Sequence, residues 1–319
     1  MGDRKKIKVL LYYPEWGNRW IPYFEKELSR YDLTVLNAPK GGKVPVNDIE
    51  ASARQSDVLI SMWMDNMVGY WSHHFPNKKI ISYCRRFEVW VPTMIQSINL
   101  KNVNAVVFVS EFYKDKFAAM YGSPNRSYLI RNGVDMTEFP LRVAPVQNGK
   151  VSMVCSIKDV KNMALAVEIM SMLPKDFTLH HIGIPFSDLI AGQILSYIEY
   201  RGLANRFKFE GHIERDEVPV WLADKEVILS TSINEGNPNN VIEAMAMGIK
   251  PVINMWPGVL EQFNSEWVFK TAQEAVDMIE DRFTYTPEAY RQHVEREYSV
   301  ENFKRIHDVI AEVMSENKL

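Results

Sequence analysis

Val227-Ile228-Leu229-Ser230-Thr231-Ser232-Ile233-Asn234-Glu235-Gly236-Asn237-Pro238-Asn239-Asn240-Val241-Ile242-Glu243-Ala244-Met245-Ala246-Met247-Gly248 is the stretch that decides the fold. It opens with a short apolar run, crosses a polar loop and enters a segment of helix-forming residues. Asn237 is placed to cap that helix, and Pro238 suits its first position, where a missing N–H costs nothing. Gly248 suits its end. A strand, a loop and a capped helix in this order make half of a strand-helix-strand unit, the building block of a parallel sheet.

The same alternation runs outward in both directions. Before this stretch, Val151–Cys155, Thr178–Ile182 and Phe207–Glu210 read as strands, and Pro251–Asn254 follows it. The spacing predicts helices near 162–173, 188–202, 217–223 and 238–247 between them. An earlier set consists of Lys8–Tyr13, Leu33–Asn37, Val58–Ser61, Lys79–Tyr83, Ala105–Val109 and Ser127–Ile130, with a helix over Glu111–Tyr121 capped by Ser110 and ended by Gly122. Asn132 to Lys150, polar and broken by Pro140 and Pro145, separates the two sets as a linker. The expectation is two doubly wound α/β domains facing a cleft, residues 1–143 and 144–286. A helical tail over 287–319, spaced by Phe303, Ile306, Val309, Ile310 and Val313, should cross back to the first domain.

The 319 residues suffice for two cores, and 46% hydrophobic with 24% charged residues is the balance of a globular chain. A net charge of −3 speaks against nucleic acid as a partner. Cys84 and Cys155 are too few and too far apart for a disulfide framework or a zinc site. The start, Met1-Gly2-Asp3-Arg4-Lys5-Lys6, lacks the apolar stretch of a leader, so a cytoplasmic location is expected. Its basic residues leave peripheral contact with the inner face of a membrane open, although a solvated terminus is the simpler reading.

Parallel sheets bind ligands in the loops beyond the carboxyl ends of their strands. The loop and helix start at Glu235-Gly236-Asn237-Pro238-Asn239-Asn240 offer backbone N–H groups and a positive dipole end to a diphosphate. Glu235 precedes the helix and Glu243 lies about one and a half turns inside it, so the two acids meet different parts of an extended ligand. As an isolated pair they would read as a helix-start acid and a solvated glutamate. Glu243, however, sits among Val241, Ile242, Ala244, Met245, Ala246 and Met247, and a carboxylate in so apolar a helix demands a partner.

The wording of this stretch resembles glycosyltransferase family 4, the retaining group 1 glycosyl transferases of the GT-B fold, whose Glu-x7-Glu motif matches Glu235 to Glu243. Similarity continues through Val109-Ser110-Glu111, Ile130-Arg131-Asn132-Gly133-Val134-Asp135, Phe139-Pro140, Pro251-Val252, Pro257-Gly258, Glu261 and Tyr298-Ser299-Val300. The resemblance implies transfer of a sugar from a nucleotide-sugar donor to a saccharide or lipid-linked acceptor, with retention and without a metal or other cofactor. Glu235 would contact the donor sugar and Glu243 the ribose. Lys161 takes the position of a diphosphate-binding lysine. Ser156 stands where the family carries arginine, with Lys158 as an alternative source of charge. In the first domain Arg85 stands where relatives carry a histidine, and Gly17 could open a loop to the acceptor. These two departures keep open a silent nucleotide-sugar binder, and a nucleotide-sugar epimerase of the same fold is a second alternative.

Overall fold

The computed structural model describes residues 6–14, 20–38, 45–142 and 144–315. It contains two six-stranded sheets in which every paired neighbour runs parallel. The first comprises β1 (Lys8–Pro14), β2 (Asp32–Ala38), β3 (Val58–Ser61), β4 (Lys79–Cys84), β5 (Ala105–Phe108) and β6 (Ser127–Leu129), in the order β2-β1-β3-β4-β5-β6. The second comprises β7 (Lys150–Val154), β8 (Thr178–Ile182), β9 (Phe207–Phe209), β10 (Val227–Ser230), β11 (Lys250–Asn254) and β12 (Val268–Phe269), in the order β12-β11-β10-β7-β8-β9. Each apolar run expected to be a strand is one, with ends shifted by a residue or two. The two-residue β12 is too short to give a periodic signal.

The chain divides into two compact units, Met1–Gly133 with Val300–Leu319, and Val134–Ser299. Each sheet reverses its direction of growth once, between β1 and β3 in the first unit and between β7 and β10 in the second. Loops diverge at such a reversal, and the opening between them is where doubly wound sheets take ligands.

Of the polar stretch expected to be the linker, Asn132 and Gly133 belong to the first unit, and the described residues from Val134 onward belong to the second. Its backbone groups find charged partners: Arg291 Nη1 donates to the carbonyls of Phe139 (2.6 Å) and Ala246 (2.8 Å). The amides of Asn148 and Gly149 donate to Glu226 Oε2 at 2.9 and 2.7 Å. Prolines and glycines end periodic structure without freeing the chain, because buried backbone groups still require partners.

The tail is helical, but its two helices part company. Pro287–Glu297 buries Tyr290 and Val294 in the second unit's core beside Ala244 and Trp267. Ile306–Ser315 buries Ile306, Val309, Ile310 and Val313 in the first unit's core with Val9, Leu11, Phe24 and Phe303. Phe24 meets Phe303 edge to face at 5.9 Å and Tyr83 at 5.6 Å. This final helix packs on one face of the first sheet, so Phe303, Ile306, Val309, Ile310 and Val313 are core to that unit.

Ile310 is 1% exposed. Ile310→Ala is expected to destabilise the first unit by ~2–5 kcal/mol, the range for truncating a buried isoleucine. Denaturant unfolding followed by probes in each unit checks this: the first unit's transition should fall to lower denaturant and the second's should hold its place.

Candidate functional site

In the second unit, the loops after β7 and β10 flank the reversal point and are laced together. Ile233 N donates to Val160 O at 3.0 Å, and Thr231 Oγ1 donates to Lys161 O at 2.7 Å. Asn162 ends the first loop in the left-handed region (φ 46°), where asparagine is among the few tolerant side chains. This lacing brings Lys161 against Glu235, and Lys161 Nζ forms an ion pair with Glu235 Oε1. Their side chains keep 19% and 11% exposure, so the pair is mostly desolvated but still reachable.

Lys158 is not part of the pair. It is exposed, with Nζ 5.1 Å above the Phe186 ring. Ser156 is half-buried on the same loop and contributes no charge. Beneath it the backbone is crowded: at Gly183 (φ 129°) a Cβ would lie 2.0 Å from the carbonyl oxygen of Cys155, so only glycine fits.

The helix after β10 spans Asn239–Ala246. It starts later than the sequence suggests: Pro238 occupies the cap position and no side chain caps the helix. Asn237 Nδ2 donates instead to Asn239 Oδ1 at 2.7 Å. Two backbone donors are also already engaged, Asn239 N to Asn237 O (2.9 Å) and Val241 N to Pro238 O (3.0 Å). The helix start therefore has fewer free donors than a bare first turn. Gly236 is buried and Asn240 half-buried on either side of this turn. Gly248 (φ 75°) ends the helix as expected.

Glu243 is 1% exposed, and its partner is Arg215. Arg215 Nη1 donates to Glu243 Oε1 at 2.6 Å, and Nη2 donates to Glu138 Oε2 at 3.2 Å. The guanidinium lies 4.9 Å from the centre of the Phe139 ring. Burial pulls the Arg215 pKa down, and the charges of Glu243 and Glu138 more than offset that, leaving it raised. The sequence states the need for a partner but does not name it, because Glu214-Arg215-Asp216-Glu217 reads as a solvated charge run. Its one signal is position, in the loop after β9 at the ligand end of the sheet.

Beyond the ends of β8 and β9 an apolar cavity of about 240 Å³ is lined by Ile157, Gly183, Ile184, Ile194, Phe209 and Gly211. Sequence reasoning missed it, since its walls come from four separate segments.

In the first unit Gly17, like Trp16, lies outside the described residues. Arg85 follows β4 and is 6% exposed. Its Nη1 donates to Asn132 Oδ1 at 2.8 Å and its Nε to Met62 O at 3.3 Å. Glu88 does not pair with that guanidinium; its carboxylate accepts from the backbone amides of Arg85 (3.2 Å) and Met64 (3.4 Å). Trp90 is 43% exposed, with Lys116 Nζ 5.3 Å above its ring. Among the described residues no group of three or more His, Cys, Asp or Glu side chains is arranged to hold a metal. None of the described helices is long and apolar enough to cross a membrane.

Residues 148–281, which lie in the second unit, match the family model of the glycosyl transferases group 1. The chain is 28% identical over 167 residues to WcaL of Salmonella typhimurium, whose name assigns it to colanic acid biosynthesis as a glycosyltransferase. That match covers 48% of this chain and 40% of the relative, so the alignment spans well under half of that protein. Among solved structures, Anabaena HepE in complex with UDP and glucose superimposes with a TM-score of 0.76 at 14% identity, covering 96% of this chain and all of that one. Sucrose-phosphate synthase from Thermosynechococcus elongatus gives 0.78 at 13% identity, covering 97% and 100%. The fold is thus the GT-B fold of glycosyltransferase structures, with two Rossmann-like units.

Two outcomes follow from the charges. Arg215→Ala deprives a buried carboxylate of its arginine and is expected to cost ~1–3 kcal/mol, whereas Glu138→Ala removes only the 40% exposed end of the network and should cost under ~1 kcal/mol. Melting temperatures of the two variants would separate them. Burial lifts the Glu88 carboxyl from 4.5 to about 7, against the pull of backbone amides and Arg85, and burial lifts Asp65 from 3.8 to about 6. A raised folded-state pKa adds stability that is present below the unfolded value and lost as pH rises through the folded one. The first unit should therefore lose stability between about pH 5 and pH 7, and Glu88→Gln should flatten that slope in thermal melts across the window.

Proposed function

We propose that the chain is a glycosyltransferase whose second unit holds a nucleoside-diphosphate sugar. The observation that carries this reading is the Lys161–Glu235 pair at the reversal point between β7 and β10, with Glu243 buried in the helix that follows Glu235. Lys161 would meet the diphosphate and stabilise the charge that develops on it as the sugar leaves, the largest single lever such a site has. The turn from Gly236 to Asn240 would carry part of the same charge through its remaining N–H groups. In this reading that charge is met by protein groups, without a metal.

Glu235, released from Lys161 by the diphosphate, would accept hydrogen bonds from the sugar hydroxyls. Glu243, fixed by Arg215, would accept from the ribose. The apolar cavity beside Ile184 and Phe209 offers a face for the base, and Lys158 and Ser156 line the approach. The bound UDP and glucose of HepE support uridine as the first nucleotide to try. The name of WcaL supports a polysaccharide or glycoconjugate product. Among the described residues of the second unit no side chain stands out as a nucleophile, so retention would proceed on one face of the sugar, with the leaving phosphate taking the acceptor's proton. The acceptor would be a saccharide, free or lipid-linked, met by a cytoplasmic enzyme at or near the inner face of a membrane.

Ser156 favours a second reading, a binder that holds the donor without turning it over, because it adds no charge where a diphosphate would gain from one. Calorimetric melts with UDP, GDP, ADP and TDP and their sugar conjugates test both readings. One nucleotide at ~100 times its dissociation constant should add about 2.7 kcal/mol, and Lys161→Ala and Glu243→Ala should each remove most of that gain. Release of free nucleotide from its sugar conjugate, with a chelator present, then supports transfer. Binding without release supports the silent binder, and no gain with any nucleotide sinks the donor site itself.

A further inference from the structure

At the reversal point of the first sheet, the loops after β1 and β3 supply Trp20, Met62 and Trp63, and Arg85 reaches them from the end of β4. Its guanidinium carbon lies 4.2 Å from the centre of the Trp20 ring, 5.1 Å from Trp63 and 5.6 Å from Tyr83. Three aromatic faces favour a cation there. They do not neutralise it: among the described residues no carboxylate is within ion-pair distance of Arg85. Burial without a counter-ion draws its pKa down to about 10, against the pull of Glu88.

Buried polar groups are normally hydrogen-bonded, and a cluster of exceptions calls for an explanation. Within this cluster three buried donors lack an acceptor: Arg85 Nη2, Trp20 Nε1 and Tyr83 Oη, the last two on rings whose centres lie 4.2 and 5.6 Å from the guanidinium carbon. Each costs stability in that state. One ligand chemistry answers all of it, an oxyanion, because a guanidinium fork matches two oxygens at once and neighbouring N–H and O–H groups complete the ring of donors.

We propose that Arg85 is the anion-binding residue of the first unit and that the acceptor carries a carboxylate or phosphate. This rests on the reading of the chain as a glycosyltransferase and adds the class of its second substrate. Trp20 lies over the guanidinium, so an anion would reach it by turning that indole aside. Aromatic faces at Trp20 and Trp63 then pack against the sugar ring that bears the charge.

The test is a titration of intrinsic tryptophan fluorescence with glucuronate, glucose 6-phosphate, inorganic phosphate and neutral glucose. The proposal expects saturable changes with one or both acidic sugars at roughly a tenth or less of the concentration glucose needs. It also expects Trp20→Phe to lose most of the signal and Arg85→Gln to erase the preference, with Arg85→Lys keeping part of it. Response to glucuronate alone identifies a carboxylate, and response to glucose 6-phosphate and phosphate identifies a phosphate. Equal affinity for glucose and both acidic sugars in the unaltered protein overturns the proposal, as does an acid preference that survives in folded Arg85→Gln. Should Arg85→Gln fail to fold, the comparison of charged and neutral sugars in the unaltered protein decides alone. The nucleotide melts on the same samples keep the two readings apart: nucleotide binding without an acid preference removes the anionic acceptor and leaves the donor site standing.

Discussion

Strands that all run one way cannot be joined by tight turns, and the rest of this structure follows from that constraint. Every return passes through a helix or a long connection, so the loops that leave the carboxyl ends gather on one side of each sheet. Where the order of growth reverses, neighbouring loops diverge and open a place no side chain is obliged to fill. Both sheets reverse once, and both reversal points are occupied by charge: Lys161 with Glu235 in the second unit, Arg85 in the first. The chemistry of the chain is concentrated where the fold leaves it room.

Charge at such depth must be compensated, and the two units do so differently. In the second unit each buried acid is given a base: Glu243 has Arg215 and Glu235 has Lys161. The geometry of Arg215 is rigid, because one guanidinium spans Glu243 and Glu138 while resting on Phe139. In the first unit the cation has no acid and is held by aromatic faces and neutral oxygens. A paired site is satisfied before a ligand arrives, whereas a cation boxed in by indoles still has an unmet demand. The first arrangement preorganises recognition, and the second leaves binding free energy to be gained.

Much of this was legible in the sequence because it is local. A strand such as Val227–Ser230 or Ala105–Phe108 is buried on both faces and reads as an unbroken apolar run, and Ser110 and Gly122 bracket a helix by their own chemistry. Glu243 stands out because the helix around it, Val241 to Met247, is apolar, and Glu235 because it precedes that helix at the ligand end of the sheet. What stayed hidden depends on residues far apart in the chain. Arg215 is 28 positions from Glu243 and sits in an acidic run, and the cavity beside Phe209 has walls from four segments. The start of the helix at Asn239 was misjudged for a related reason: Asn237 prefers a neighbouring side chain to the helix end, a choice that propensity alone does not settle. The ties that hold Phe139, Asn148 and Gly149 to the second unit were invisible because their partners, Arg291 and Glu226, come from elsewhere in the unit.

The Lys161–Glu235 pair bears on how a donor site of this kind could avoid waste. A lysine left bare in a desolvated loop would lose free energy until a phosphate arrived, and a bare glutamate beside it would repel that phosphate. Paired, each screens the other, and the loop is also held by bonds that do not involve the ion pair, from Ile233 to Val160 and from Thr231 to the Lys161 carbonyl. A diphosphate outcompetes one carboxylate because it brings more charge and more oxygens to the same ammonium. In the proposed donor site the displaced carboxylate would become an acceptor beside the sugar that the phosphate carries. On that proposal, one exchange of partners would couple recognition of the leaving group to recognition of the group transferred. Free phosphate or free sugar would each supply only half of it, so the pair itself favours a ligand in which the two are joined.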